Sequence, residues 1–400
     1  MRDVVLNWGV GAQFGWGLLG LNLFALWSHD KDIRPLMGQP ITPADLDGLD
    51  ALKRAHIAKA VRTSNAALEA RQRGDGPPPG EAIGVDGLGN DLNAISPLNT
   101  RTKVARAIFE SIDVAGAAAK FAPYDQLLTA SSWTAAWIKA ASGRDAKIIH
   151  EGVDLTLFAP GPSSRWRDPD AFYVFSGGKL EYRKGQDLVL DGFRRFAARH
   201  PKAVLVTAWN SPWPQLARGM KGHLDSALSL EPDGGLGLRR WASENGLLAS
   251  QFIDLGRVPN FALPQILRDM DVALQPSRAE ACTNLVVKEA MACGLPTIAA
   301  WNTGMVDLLT ETTAILLKHQ GPIRVPPGTP FPPHPGPMLD DWGESDAEEI
   351  DAALEFAFQN RDHVRTLGLS ARRDLEVRKR SWSHHADALK AWLLDDAVGL

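Results

Sequence analysis

Glu280 and Glu289 bracket the run "ACTNLVVK" inside "RAEACTNLVVKEAMACGLP", Arg278 to Pro296. An ionised carboxylate only accepts hydrogen bonds, so two of them beside small polar residues suit the hydroxyls of a sugar or a ribose. "LVVKEAMA" reads as a helix with Thr283 or Asn284 as its N-cap. Gly294 is the expected stop and Pro296 enforces it. The first turn of such a helix presents unpaired N–H groups and partial positive charge, which suit a phosphate. Either glutamate alone reads better as a solvated charge. It is the run as a whole that points to a ligand.

A helix placed there needs a strand on each side. "DVALQ" precedes the loop and "TIAA" follows the helix, so the loop lies at the C-terminal end of a parallel strand. Open α/β sheets bind ligands at that edge. The same alternation runs along the chain. "VVLNW" reads as a buried strand, followed by Gly9, Gly11, Gly15, Gly17 and Gly20, then a helix over "LLGLNLFALW". Further on come a helix over "KRAHIAKAVRTSNAALEARQR" and strands in "EAIGVDGLG", "TKVARAIFE", "YDQLL" and "AKIIHEGVD". The Pro-, Gly- and Ser-rich "LFAPGPSSRWRDPD" is the best linker. After it the pattern restarts: strands in "AFYVFSGG", "AVLVTAW" and "QFIDLGRV", helices in "QDLVLDGFRRFAARH", "LRRWASENG" and "ALPQILRDM". "GPIRVPPGTPFPPHPGPM" reads as a Pro-rich surface loop, and the tail as helices. Alternating strands and helices predict an α/β chain of two doubly wound parallel-sheet units in tandem.

Composition bounds the rest. The 400 residues are 44% hydrophobic, enough for two sizeable cores. With 43 basic against 47 acidic side chains, there is no basic excess, and no nucleic-acid partner is expected. Cys282 and Cys293 flank the short helix, about 12 Å apart, too far for a disulfide. Both read as reduced thiols of a cytoplasmic chain. The apolar stretch from Phe14 to Trp27 is shorter than the ~18 residues of a membrane span. It also lacks the basic start of a signal peptide.

The run "EAMACGLP" resembles the signature of the retaining glycosyltransferases of family 4, which have the GT-B fold: two Rossmann-like domains facing a central cleft. Many members place seven residues between the two glutamates; here eight intervene. The resemblance implies that Glu280 touches the donor hexose and Glu289 the ribose. It also implies that backbone near Thr283, Asn284 and Leu285 meets the sugar and phosphates. "SGGKLEYRKGQDLVLDGF" is similar to the family's strand–glycine–basic segment. Lys184 matches the lysine of "KG", and Lys179 stands where many members have arginine. Both are expected to pair with the diphosphate, whose charge grows as the glycosidic bond breaks, with Arg183 beside them. Arg257 and Val258 in "GRVPN" are expected near the base.

The resemblance covers most of the chain and implies domains at 1–158 and 171–381, joined by 159–170, with 382–400 packing back on the first. In the first domain, Gly15 and Gly17 of the glycine-rich loop are expected to approach the donor. Many members carry a histidine in the catalytic cleft; here Glu110, in "FE" after a strand, is the candidate. The expected activity is transfer of a hexose-type sugar from a UDP- or GDP-linked donor to an unknown acceptor hydroxyl, without a cofactor or metal. Members acting on lipids often sit on a membrane face, and "NLFALW" could serve a peripheral contact with the inner membrane face.

Three other readings compete. "GWGLLG" matches the dinucleotide pattern G-x-G-x-x-G, but it begins too far after the first strand. Asp269 and Asp271 form a D-x-D, yet one ends a helix and the other opens a strand. His384 and His385 read as surface or interdomain contacts. A non-catalytic nucleotide-sugar-binding module on the same fold is the rival from a different class.

Overall fold

The computed structural model describes residues 1–12, 14–74, 82–96, 98–164, 168–323 and 337–395. The expected Pro-rich loop falls mostly at 324–336, outside the described residues. The chain divides into two compact units. The first holds Met1–Gly152, Pro259–Phe261 and the chain from Lys379 on; the second holds Val153–Val258 and Ala262–Arg378.

The first unit is built on strands β1 (Arg2–Asn7), β2 (Ile33–Met37), β3 (Ile83–Leu88), β4 (Thr102–Ala107), β5 (Gln126–Thr129) and β6 (Lys147–Ile148). All pair in parallel, in the order β2-β1-β3-β4-β5-β6. Val4, Val5, Leu6 and Asn7 are all buried, as expected of a central strand covered on both faces. β2 carries Pro35, which an edge strand tolerates because its outer N–H has no ladder partner. The strand expected over "AKIIHEGVD" shrinks to two residues.

Helices α1 (Gly15–Trp27), α2 (Ala51–Arg73), α3 (Val114–Phe121) and α4 (Ser132–Ser142) connect these strands. α1 starts three residues earlier than the sequence suggests. Gly15 and Gly17 are therefore in its first turn, not in the loop. Gly17 packs on the loop backbone: a Cβ there would come 2.6 Å from the Gly11 oxygen. The dinucleotide pattern is thus spent on a helix face. In "NLFALW", Leu23, Phe24 and Trp27 are buried and Leu26 is exposed, so most of that segment is committed to the core. Among the described residues no helix is long and apolar enough to cross a membrane.

The second unit contains β7 (Phe172–Lys179), β8 (Ala203–Asn210), β9 (Phe252–Asp254), β10 (Val272–Gln275), β11 (Thr297–Ala300) and β12 (Ile315–Leu317). They too are parallel, in the order β12-β11-β10-β7-β8-β9. Helices α5 (Gln186–Ala197), α6 (Leu238–Glu244), α7 (Leu263–Arg268), α8 (Leu285–Ala292), α9 (Ala347–Gln359) and α10 (Arg361–Val377) complete it. Alternate residues of β10 enter opposite cores: Val272 and Leu274 pack with Phe193 and Trp209, Ala273 with Val287 and Met291. A two-stranded ribbon, β13 (Gln320–Gly321) with β14 (Glu344–Ser345), lies outside the main sheet.

The last described helix, α11 (Trp382–Leu394), belongs to the first unit. Lys390 reaches both Asp30, at 2.7 Å, and Asp32, at 2.7 Å. His385 is not a surface residue: it is buried, with Nδ1 2.8 Å from the His150 carbonyl.

Candidate active site

The strands of the second sheet all point one way, so their C-terminal ends form one edge. After β10, the chain runs through Pro276–Asn284 into α8. After β7, it makes a short 3₁₀ turn, Tyr182–Lys184, before α5. Between that turn and α5, Gly185 has φ 71°, and a Cβ there would lie 2.3 Å from the Pro276 oxygen. Only glycine combines that backbone with so close an approach. The Arg278 N–H donates to the Arg183 carbonyl at 2.7 Å, closing the two loops together.

Arg278 is the pin under this edge. It is fully buried, and its Nη1 and Nη2 donate to the two oxygens of Asp187 at 2.8 and 2.6 Å. Nη1 also reaches the Tyr182 carbonyl at 2.6 Å, and Nε donates to Glu344 at 2.7 Å. The guanidinium stacks 3.8 Å from the Tyr182 ring centroid. A planar fork matched to a carboxylate holds both position and orientation. Four guanidinium hydrogen bonds thereby tie the loop after β10 to the Tyr182 turn, to α5 and to β14.

Above the pin, Glu280 is only 4% exposed. Lys184 Nζ donates to both its oxygens at 2.8 Å, Arg183 Nη1 to Oε2 at 3.0 Å, and Asn284 Nδ2 to Oε1 at 2.8 Å. Burial opposes ionisation of Glu280, but Lys184 and Arg183 outweigh it and hold the carboxyl at about 2. Lys184 is pulled below the usual lysine range by burial and by Arg183, against the attraction of Glu280. Glu181 lies in the same row: Lys179 contacts it at 2.5 Å and Arg183 at 3.1 Å. Three cations thus face two carboxylates, with one positive charge in surplus.

The backbone of Glu280 is held as firmly as its side chain. Its N–H donates to Thr303 Oγ1 at 2.8 Å, and its carbonyl accepts from Gly304 N–H at 2.9 Å. Thr303 sits at φ 39°, a region a β-branched residue rarely enters. Asn284 is the N-cap of α8: its Oδ1 accepts from Val286 N–H at 2.9 Å and Val287 N–H at 3.4 Å. One amide side chain therefore caps the helix and anchors Glu280. Thr283 is buried beside it, Leu285 is half-buried at the first helical position, and Glu289 is buried on the second turn. Glu289 is not the solvated charge it resembles when read alone.

Of the other expected residues, Arg257 is exposed and Val258 half-buried, just past the end of β9 on the same edge. Glu110 is half-buried after β4 of the first unit, where its N–H donates to Asn90 Oδ1 at 2.9 Å. Gly15 and Gly17 lie on α1 of that unit. Arg278, Asp187, Glu344 and Thr303 are residues that local reading misses, because each acts across a long sequence separation. Glu181 is missed although its partners Lys179 and Arg183 lie only two residues away. Cys282 and Cys293 are both buried, and they are not joined in a disulfide. Asp269 and Asp271 do not converge: each accepts a backbone N–H, from Ser164 and Tyr173 respectively.

Comparison with known proteins agrees with this geometry. The family described as Glycosyl transferases group 1 matches residues 163–320, and the one described as Family 4 Glycosyltransferase in conflict systems matches residues 261–389. D-inositol 3-phosphate glycosyltransferase 1 of Catenulispora acidiphila is 28% identical over 53% of this chain and 49% of its own. A GDP-mannose-dependent alpha-(1-6)-phosphatidylinositol monomannoside mannosyltransferase of Mycolicibacterium smegmatis is 24% identical over 47% of each chain. The chain spans about half the length of the curated relatives it matches. Among solved structures, sucrose-phosphate synthase of Thermosynechococcus elongatus superposes with a TM-score of 0.64 at 16% identity, over 100% of both chains. HepE of Anabaena, in complex with UDP and glucose, gives 0.58 at 15% identity, over 99% of this chain and 100% of that one. The chain has the GT-B fold and resembles the glycosyltransferases of family 4.

Proposed function

We propose that this chain is a retaining, metal-independent hexosyltransferase. It would move a hexose-type sugar from a UDP- or GDP-linked donor to an acceptor hydroxyl in glycan, polysaccharide or glycolipid synthesis. The observation that carries this is the row Lys179, Arg183, Lys184 at the carboxyl edge of a doubly wound sheet, beside Glu280 and the first turn of α8. That edge is where open α/β sheets take ligands, and helix N-termini favour phosphate.

In this reading the diphosphate meets Lys184, Arg183 and Lys179 and competes with Glu280 for Lys184. The exchange leaves Glu280 free to accept from sugar hydroxyls, while Glu289 takes the ribose and Arg257 and Val258 the base. Backbone near Thr283, Asn284 and Leu285 serves the sugar and phosphates. The bond from the anomeric carbon to the diphosphate oxygen breaks and the acceptor oxygen takes its place. Cations fixed where that charge develops lower the barrier most. Glu110 is proposed for the acceptor's proton, with Gly15 and Gly17 as the first unit's approach to the donor.

One observation favours a second reading, a nucleotide-sugar-binding module without turnover: both oxygens of Glu280 are already taken by side chains. Thermal melting with a panel of nucleotide sugars, and with UDP and GDP alone, separates the two when paired with a turnover assay. Ligand at a hundred times its Kd should stabilise the fold by about 2.7 kcal/mol. Stabilisation with sugar transfer supports the transferase, stabilisation without it the binding module. No response from any nucleotide sugar removes both.

A further inference from the structure

Charged contacts on this edge form a line. Glu280 touches Arg183 at 3.0 Å, Arg183 touches Glu181 at 3.1 Å, and Glu181 touches Lys179 at 2.5 Å. The line then reaches a residue that none of the sequence matches singles out: Lys179 Nζ lies 5.2 Å from the centroid of the Trp213 ring. Lys179 and Asn210 are register partners at the ends of β7 and β8, and Trp213 stands three residues past Asn210. Its turn is fixed by its own N–H donating to Ser211 Oγ at 3.1 Å, and by Pro214 after it. The ring does not serve the core: Trp213 is 46% exposed, whereas Trp209, on the strand itself, is buried.

A nucleoside diphosphate sugar is also a line: sugar, two phosphates, ribose, base. Neighbouring strands are about 4.8 Å apart, and the sheet order runs β10, β7, β8, β9. With the sugar end at Glu280 after β10 and the diphosphate at the lysines after β7, the nucleoside falls over the end of β8. There the chain presents an exposed indole. A base stacks on an aromatic face with little regard to its identity, and Lys179 is placed to touch both a phosphate and the ring.

We propose that Trp213 is the stacking platform for the nucleoside of the donor. The inference rests on the donor-site reading above and adds a residue to it. The ring contributes affinity for the base, the ribose stays with Glu289, and the selection between bases is left to the groups that follow β9.

The test uses the full chain as wild type, Trp213→Ala and Trp213→Phe, titrated calorimetrically with UDP, GDP and inorganic pyrophosphate. Trp213→Ala is expected to bind the preferred nucleoside diphosphate about ten- to a hundredfold more weakly. Its pyrophosphate affinity should stay within about twofold of wild type, and Trp213→Phe should recover most of the loss. Unchanged nucleotide affinity in Trp213→Ala overturns the proposal. So does a parallel loss of pyrophosphate affinity, which would mean that the ring only positions Lys179. A wild type that binds pyrophosphate but neither nucleotide overturns the donor reading itself, and this proposal with it. Superimposable melting curves for the three proteins exclude a folding defect.

Discussion

Lys184 Nζ lies 2.8 Å from both carboxylate oxygens of Glu280, across 96 residues of chain. The pair joins the end of β7 to the end of β10, and a third partner, Asn284, ties it to the start of α8. Burial raises the cost of charging Glu280, yet the two cations hold its carboxyl at about 2. The sign is that of a depressed acid. The stabilisation is present above the unfolded value of about 4.3 and is lost as pH falls towards the folded one. Glu280→Gln should therefore be less stable than wild type at pH 7, by about 3 kcal/mol. It should also flatten the loss of stability between pH 5 and 2. Denaturant melts of both proteins across that range check it; parallel curves would mean that the pair does nothing for the fold.

Arg278 and Asp187 give a stronger expectation. Both side chains are fully buried and joined by two hydrogen bonds. Asp187→Ala leaves a buried guanidinium with only Glu344 to balance it, so a loss of about 3–5 kcal/mol is expected. Arg278→Lys keeps the charge but not the fork, and should recover only a minor part of the loss seen in Arg278→Ala. Equilibrium unfolding in urea measures all three.

Thr303 isolates the backbone of Glu280 from its side chain. Thr303→Val keeps the shape but removes the oxygen that accepts the Glu280 N–H. An unsatisfied buried N–H costs about 1–3 kcal/mol. Thr303→Ser keeps the acceptor and should stay within about 0.5 kcal/mol of wild type. Nucleotide affinity, read by the same titration for both variants, should fall in Thr303→Val and hold in Thr303→Ser. Equal behaviour of the two would show that the hydrogen bond is idle.

How much of this was legible beforehand follows from sequence distance. The helix at 285–292, its cap at Asn284 and its stop at Gly294 depend on neighbours a few residues away, and they appear where local rules put them. β2 was hidden because Pro35 argues against a strand, and only its edge position reconciles the two. The start of α1 was misplaced because glycines read as a loop until Gly11 is seen packed against Gly17. The pairing of Glu280 with Lys184 was reachable only as two separate motifs of a family. Neither composition nor period says that they touch. Arg278, in the same run, carried no local sign of its role, because Asp187 is 91 residues away and Glu344 is 66. Trp213 was one tryptophan among 13 until the end of β8 gave it an address.

The first unit offers a test of opposite sign. Asp86, near the end of β3, is buried; burial raises its carboxyl above the usual range, and hydrogen bonds from Asn7 and Tyr124 only partly offset it. A raised acid favours the folded state while protonated, so its contribution is full below the unfolded value of about 3.9 and declines as pH rises through the folded one. Asp86→Asn keeps an oxygen for the Asn7 amide and removes the charge. The variant should gain stability relative to wild type on going from pH 4 to pH 7, reaching equality or a gain of about 1 kcal/mol. Loss of stability in Asp86→Asn that grows with pH would instead mean that the ionised carboxylate is the form the fold requires.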